Sequence, residues 1–392
     1  VNDLTLVDSD GRRSTAPLRP APAWTKPASP LSERVVYAAA HVVPRVTGDN
    51  TPGAPADIDW EATLAFRHHL WSWGLGVADA MDTAQRNMGL DPPAVRALIA
   101  RSAAEAQSVG GRIVVGVNTD DIESDSATLD EIVAAYIGQL RHAEEHGAGT
   151  VLMASRHLAR AATGPDDYRR VYERVIAAAD EPVVLHWLGP AFDPILEGYF
   201  GSRSVAAATE TVLRIIGDAG ERVSGIKMSL LDADAEIAVR DRLPGAARMF
   251  TGDDYHYVDL MSERDGHHSD ALLGAFAAVG PVASAAVQAL AEPDGATLFR
   301  TILEPTEALS RHIFAAPTWH YKTGIAFLAW LNGHQPAFTM VGGLHAARSV
   351  PHLSEIVRLA NVSGALEQPE LAAARWDAYL RLAGVVSATV LV

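Results

Sequence analysis

Eight short apolar runs, rich in valine and isoleucine and mostly followed by longer helical stretches, constrain this chain more than any other feature. They are Val35–Val43, Gly74–Ala80, Arg112–Asn118, Thr150–Ala154, Pro182–Trp187, Val223–Met228, Ala247–Thr251 and Asp270–Gly274. An unbroken apolar run between helices marks a parallel strand covered on both faces, whereas a strand with one wet face would alternate. The segments Trp60–Trp73, Pro92–Val109, Leu129–His146, Asp166–Ala179, Val205–Gly220 and Asp232–Arg242 read as helices. Together these units predict an α/β fold, a (β/α)8 TIM barrel. The rival, an open doubly wound sheet binding a dinucleotide, lacks a G-x-G-x-x-G after its first strand.

The barrel is expected to occupy residues 34–283, with flanks on both sides. Residues 1–33 form an N-terminal extension broken by Pro17, Pro20, Pro22, Pro27 and Pro30, with Trp24 as its anchor. Val1–Val7 followed by Asp10-Gly11 reads as a small strand and turn. Residues 284–392 form a helical C-terminal region over Ala285–Ala291, Ala296–Phe314, Tyr321–Leu331, Pro351–Leu359 and Gln368–Leu382. A net charge of −16 argues against a nucleic-acid partner, which wants a basic stripe. Without cysteine there is no disulfide, thiolate metal site or thiol nucleophile. No apolar run has membrane-spanning length and the N-terminus is polar, so a cytoplasmic location and no membrane partner are expected.

Chemistry in such a barrel gathers at the C-terminal strand ends. There stand His41, Asp79 with Asp82 and Thr83, Asn118 with Thr119 and Asp120, and Ser155 with Arg156. His186, Lys227, Asp253 with Asp254, and His267 with His268 complete the set. Lys227 stands out because the chain has only three lysines (Lys26, Lys227, Lys322) beside 29 arginines. A lysine on a buried strand loses pKa, and a neutral amine there is a carbonyl-trapping nucleophile. His186, on the preceding strand, has the intrinsic pKa of a proton relay.

The order of motifs resembles the dihydrodipicolinate synthase / N-acetylneuraminate lyase superfamily of class I, Schiff-base-forming aldolases, in a divergent branch. Gly225-Ile226-Lys227 is similar to the family's strand-six G-[IV]-K, and Phe250-Thr251-Gly252-Asp253-Asp254 to its strand-seven G-x-D. Pro182–Trp187 resembles the strand-five segment that carries Y-N-x-P-G-R, with His186 in the place of the tyrosine. Pro317 to Gly333 is similar to the family's late P-x-K and helix, which implies a structural or interface role for Lys322. The family's strand-two G-T-T-G-E is replaced by Asp79-Ala80-Met81-Asp82-Thr83-Ala84-Gln85. Carboxylates there would repel a substrate carboxylate, so a hydroxyl-rich keto-sugar is expected over pyruvate.

The leading expectation is therefore a class I lyase, aldolase or hydro-lyase acting on a small keto-acid or sugar-derived carbonyl compound. Lys227 and His186 are the catalytic pair, with Asp79, Asp82, Thr83, Asn118, Asp253 and His268 binding substrate. It needs no cofactor beyond the lysine imine. A homo-oligomer is expected from the resemblance and from the apolar segments around Trp319 and Trp330. One alternative is a divalent-metal-dependent sugar isomerase, epimerase or hydrolase, with His41, Asp82, His186 and Asp254 as ligands. A non-catalytic sugar-binding barrel is the other.

Overall fold

The computed structural model describes residues 3–385. The strands are β1 (Asp3–Val7), β2 (Arg13–Pro17), β3 (Val36–Ala39), β4 (Gly76–Asp79), β5 (Ile113–Val117), β6 (Gly149–Leu152), β7 (Val183–Leu188), β8 (Val223–Ser229), β9 (Arg248–Thr251) and β10 (Asp270–Leu273). Strands β3 to β10 close a barrel in sequence order, β10 pairing with β3, and every neighbour is parallel. The (β/α)8 reading of the sequence is what the chain forms.

Six of the eight barrel strands are shorter than their apolar runs because the chain leaves the ladder to build the mouth; β7 matches its run in length and β8 extends one residue further, to Ser229. After β3, for example, the Val43 N–H goes to Thr63 Oγ1 at 3.0 Å instead of to a neighbouring strand. The helices start where local chemistry predicts. Asp59 caps Trp60–Ser72 by accepting from the Ala62 N–H, and Asp91 with Pro92 and Pro93 opens Pro92–Val109. Thr128 and Glu131 form a reciprocal capping box on Leu129–Glu145. Short helices Arg156–Ala161, Tyr257–Met261 and Ala275–Ala278 lie in stretches the apolar pattern leaves unassigned.

The expected N-terminal strand and turn is an antiparallel hairpin of β1 and β2; Val1 and Asn2 lie outside the described residues. The hairpin packs on the C-terminal helices Val350–Ser363 and Pro369–Leu382. The Val7 N–H donates to Ser354 Oγ at 2.8 Å, and Trp376 Nε1 donates to the Thr5 carbonyl at 2.7 Å. Leu4, Leu6 and Val7 share one continuous apolar core with barrel residues such as Val36 and with Leu353 and Trp376. Residues 386–392 of the expected C-terminal region lie outside the described residues. Among the described residues no helix is long and apolar enough to cross a membrane.

Candidate active site

The barrel register decides which side chains share the interior. Ala39, Ala78, Val114, Val151, Val184, Phe250 and Leu272 form a separate inner cluster, so these positions point inward. Period-two alternation then turns His186 inward from β7, two residues beyond Val184. His186 is the register partner of Lys227, which in turn pairs with Phe250. His186 and Lys227 therefore stand side by side on the inner wall, one layer above Val184 and Gly225. The G-I-K pattern has a steric reason: a Cβ on Gly225 would come within 2.5 Å of the Arg248 carbonyl and 2.9 Å of the Phe250 ring. Gly252 makes room for the lysine itself, since a Cβ there would sit 2.2 Å from Ser229 Oγ and 2.7 Å from Lys227 Cε.

That contact yields a prediction. Gly252→Ala is expected to cost about 1–3 kcal/mol by overpacking and to displace the Lys227 side chain. Denaturation midpoint and the reactivity of Lys227 toward an aldehyde should fall together; unchanged reactivity would refute the close approach.

Lys227 is buried at 8 % exposure, and among the described residues its Nζ has no hydrogen bond and no carboxylate within 4.0 Å. Burial pushes its pKa down, against the opposing pull of the Asp254 and Asp82 charges. Asp254 moves the other way: burial raises its carboxyl, although Oδ1 accepts the Ala275 N–H at 2.9 Å and Lys227 is near. His186 Nε2 lies 3.2 Å from Ser229 Oγ, and burial plus the Lys227 charge hold the imidazole neutral, well below its usual pKa. Its Nδ1 is buried without a partner among the described residues.

The C-terminal region supplies the rest of the mouth. Helix Tyr321–Leu331 begins over the ends of β4 and β10. Its Tyr321 hydroxyl is 2.8 Å from Thr83 Oγ1, and its ring stacks on Phe314 with centroids 4.3 Å apart. Burial raises the Tyr321 hydroxyl well above its ordinary pKa, with Asp82 and Asp254 also among the nearby charges. Lys322, expected to be structural or at an interface, is a buried ion-pair partner at the mouth. Its Nζ is 3.1 Å from Asp82 Oδ2 and 3.2 Å from the Trp319 carbonyl. A pocket of ≈ 260 Å³ opens there, lined by Asp82, Asn118, Met153, Arg156, Phe192 and Trp319, among others.

The remaining sequence-chosen residues fall elsewhere. Asp79 is fully buried in a two-pronged ion pair with Arg67, Nε to Oδ2 at 3.0 Å and Nη2 to Oδ1 at 2.8 Å. Asp253 is spent on its own turn, accepting from the Tyr255 and His256 N–H groups and facing His256 Nδ1 at 3.0 Å. His267 and His268 immediately precede β10, which places them at the opposite, N-terminal end of the barrel, where burial and then Arg34 lower the His268 pKa. His41 points into the seam with the C-terminal region, Nε2 at 2.8 Å from Gln335 Oε1. The proposed metal set His41, Asp82, His186 and Asp254 does not converge. Among the described residues the metal-competent group is His69, His334 and Glu367.

The charge argument for a neutral sugar also changes. Four aspartates at this end have a cation: Asp79 has Arg67, Asp82 has Lys322, Asp120 has Arg86 and Asp193 has Arg156, while among the described residues Asp254 has none within 4.0 Å. The mouth is not a bare anionic ring, so repulsion does not exclude a carboxylate substrate. The sequence does not single out Tyr321, and places Lys322 only as structural or at an interface, because both lie far downstream of any strand. The adjacent Tyr-Lys opening an apolar helix was the available signal.

Comparison with solved structures shows that the fold is shared with dihydrodipicolinate synthases. Against the Aquifex aeolicus enzyme the TM-score is 0.64 at 14% identity, covering 84% of this chain and 97% of that one. Against 4-hydroxy-tetrahydrodipicolinate synthase from Methylacidiphilum fumariolicum SolV it is 0.64 at 16% identity, covering 86% and 99%. The Bacteroides thetaiotaomicron dihydrodipicolinate synthase gives 0.63 at 14%, covering 84% and 99%. No curated protein matches the chain. A family model described as "Protein of unknown function (DUF993)" matches residues 4–385.

Proposed function

The chain belongs to the DUF993 family, and we propose that it is a class I lyase or aldolase that captures a small carbonyl compound as an imine on Lys227. The observation that carries this reading is the Lys227 amine: inward-facing, buried, its pKa lowered, and free of any hydrogen bond among the described residues. A lysine placed to stabilise a fold is paired with a carboxylate, as Lys322 is. An unpaired, desolvated one is poised as a nucleophile. The fold shared with dihydrodipicolinate synthases supports the same reading.

In this proposal the neutral amine attacks the substrate carbonyl, the carbinolamine loses water, and the protonated imine draws electrons from the adjacent carbon as a bond breaks or forms. Asp254 is the nearby group whose raised pKa lets it take and return a proton. The Tyr321–Thr83 hydroxyl pair, near the same Asp82 and Asp254 charges, is the second proton path. Neutral His186 positions Ser229 and keeps a second positive charge away from the amine. Asp82, Asn118 and Arg156 line the small pocket at the mouth, which shares Asp82 with the surroundings of Lys227 but is not itself lined by the lysine, and they are the substrate contacts of this reading. Because the pocket's charges are paired, a 2-keto-acid and a keto-sugar are both within this substrate class.

A homo-oligomer remains part of the proposal only by analogy of fold. Trp319 and Trp330 are both half-buried; Trp330 packs on Phe338 with centroids 5.9 Å apart and Trp319 lines the pocket.

The test is borohydride trapping with pyruvate, longer 2-keto-acids, and keto- and aldo-sugars, followed by intact mass. Wild-type protein should gain one reduced adduct from at least one of them, and Lys227→Ala none. Adducts of equal yield in both proteins, or no adduct across the panel, would overturn the reading.

A further inference from the structure

Away from the barrel mouth, three side chains from distant parts of the chain meet where the C-terminal region lies on the first barrel helix. His69 is in the last turn of helix Trp60–Ser72, His334 follows helix Tyr321–Leu331, and Glu367 precedes helix Pro369–Leu382. One ligand atom from each lies within 4.8 Å of the other two. His334 Nε2 is 2.8 Å and His69 Nε2 3.4 Å from the same oxygen, Glu367 Oε1. The imidazole centroids are 4.1 Å apart.

We propose that His69, His334 and Glu367 form a zinc site that staples the C-terminal region to the barrel. Two imidazoles and one carboxylate are a zinc ligand set, with water completing a tetrahedron. Zinc–ligand bonds of about 2.0–2.1 Å put ligand atoms about 3.3 Å apart along each tetrahedral edge. His69 already stands at that spacing from Glu367, too far for a good hydrogen bond. The His334–Glu367 contact has to open by about 0.5 Å, within the reach of a small side-chain rotation. The three side chains are 17 %, 16 % and 22 % exposed, so an ion and its water can enter.

The surroundings hold this geometry in place. Asn332 Oδ1 accepts the Glu367 N–H at 3.0 Å, while its Nδ2 donates to the Ala365 carbonyl at 2.9 Å. One side chain thus locks together the two loops that carry His334 and Glu367. The His334 N–H donates to the Ala329 carbonyl at 2.9 Å, and the Phe66 ring packs against both imidazoles with centroids 5.4 Å and 6.1 Å away. Bound zinc would anchor the C-terminal end of the helix whose first residues are Tyr321 and Lys322. The site is separate from the imine chemistry, and its test does not depend on that chemistry.

The experiment uses the full chain, stripped with a chelator, dialysed, and titrated with zinc chloride alone by calorimetry and thermal melting. One zinc per chain and a higher Tm are expected, because an ion bound only by the folded state stabilises it. His69→Gln and Glu367→Gln, checked for native circular dichroism, keep polar side chains of similar reach while weakening the ligand set. Each should lower zinc affinity at least about tenfold. If wild-type protein binds no zinc, or both folded variants bind it as tightly as wild type, the cluster is a hydrogen-bonded one and the proposal fails.

Discussion

Arg67→Met is expected to destabilise the protein by about 3–5 kcal/mol, the cost of leaving one partner of a buried ion pair behind. Arg67 and Asp79 are both fully buried. The same guanidinium donates to the His41 carbonyl at 2.6 Å and to the Thr63 carbonyl at 2.9 Å. Losing it strands a carboxylate and two carbonyls where water cannot replace them. Against a typical total of about 5–15 kcal/mol, such a loss is a large share of the stability. Arg67→Met/Asp79→Leu should recover most of it, since an apolar pair of similar volume carries no stranded charge. Guanidinium denaturation of the three proteins checks this. A single-variant loss under about 1 kcal/mol would place the pair with ordinary surface bridges.

Asp254→Asn is expected to move the pH profile of Lys227 trapping toward acid by about one to three units. The sign follows from the charges: ionised Asp254 favours the ammonium form and raises the Lys227 pKa, while burial lowers it. Removing the carboxylate leaves burial less opposed, so the reactive neutral amine appears at lower pH. Asparagine can still accept the Ala275 N–H, so the loop between β9 and β10 keeps its anchor. The measurement is the rate of borohydride-trapped adduct against pH for both proteins. A profile that stays put, or moves toward alkali, would show that Asp254 does not act on this amine. In catalysis the variant should still form adduct but turn over more slowly, because the proton-carrying carboxyl is gone.

The architecture was largely legible in the sequence because strand burial in a barrel is a local property. Each run of four to seven residues is covered on both faces, so it reads as continuously apolar whatever its neighbours are. Chain order then orders the strands, since parallel neighbours joined by crossover helices follow one another. The position of Lys227 beside His186 follows from register, which the runs alone leave open and the pairing of β7 with β8 defines. His267 and His268 show the limit of reading loops. They lie between β9 and β10, but the chain has already returned to the N-terminal end when it reaches them.

What the sequence determined by itself was the barrel and a lysine on its sixth strand, because hydrophobic period and a cation within an apolar run are written in adjacent residues. What only the tertiary structure decided was the electrostatics around that lysine. Asp82 looked like a bare carboxylate until Lys322, 240 residues downstream, paired with it. Asp79 looked like a substrate ligand until Arg67 enclosed it. Thr83 acquired its Tyr321 partner, and His69 met His334 and Glu367, in the same way. Charge acts through space, and separation along the chain says little about which opposite charge will be nearest once the C-terminal helices have packed onto the barrel.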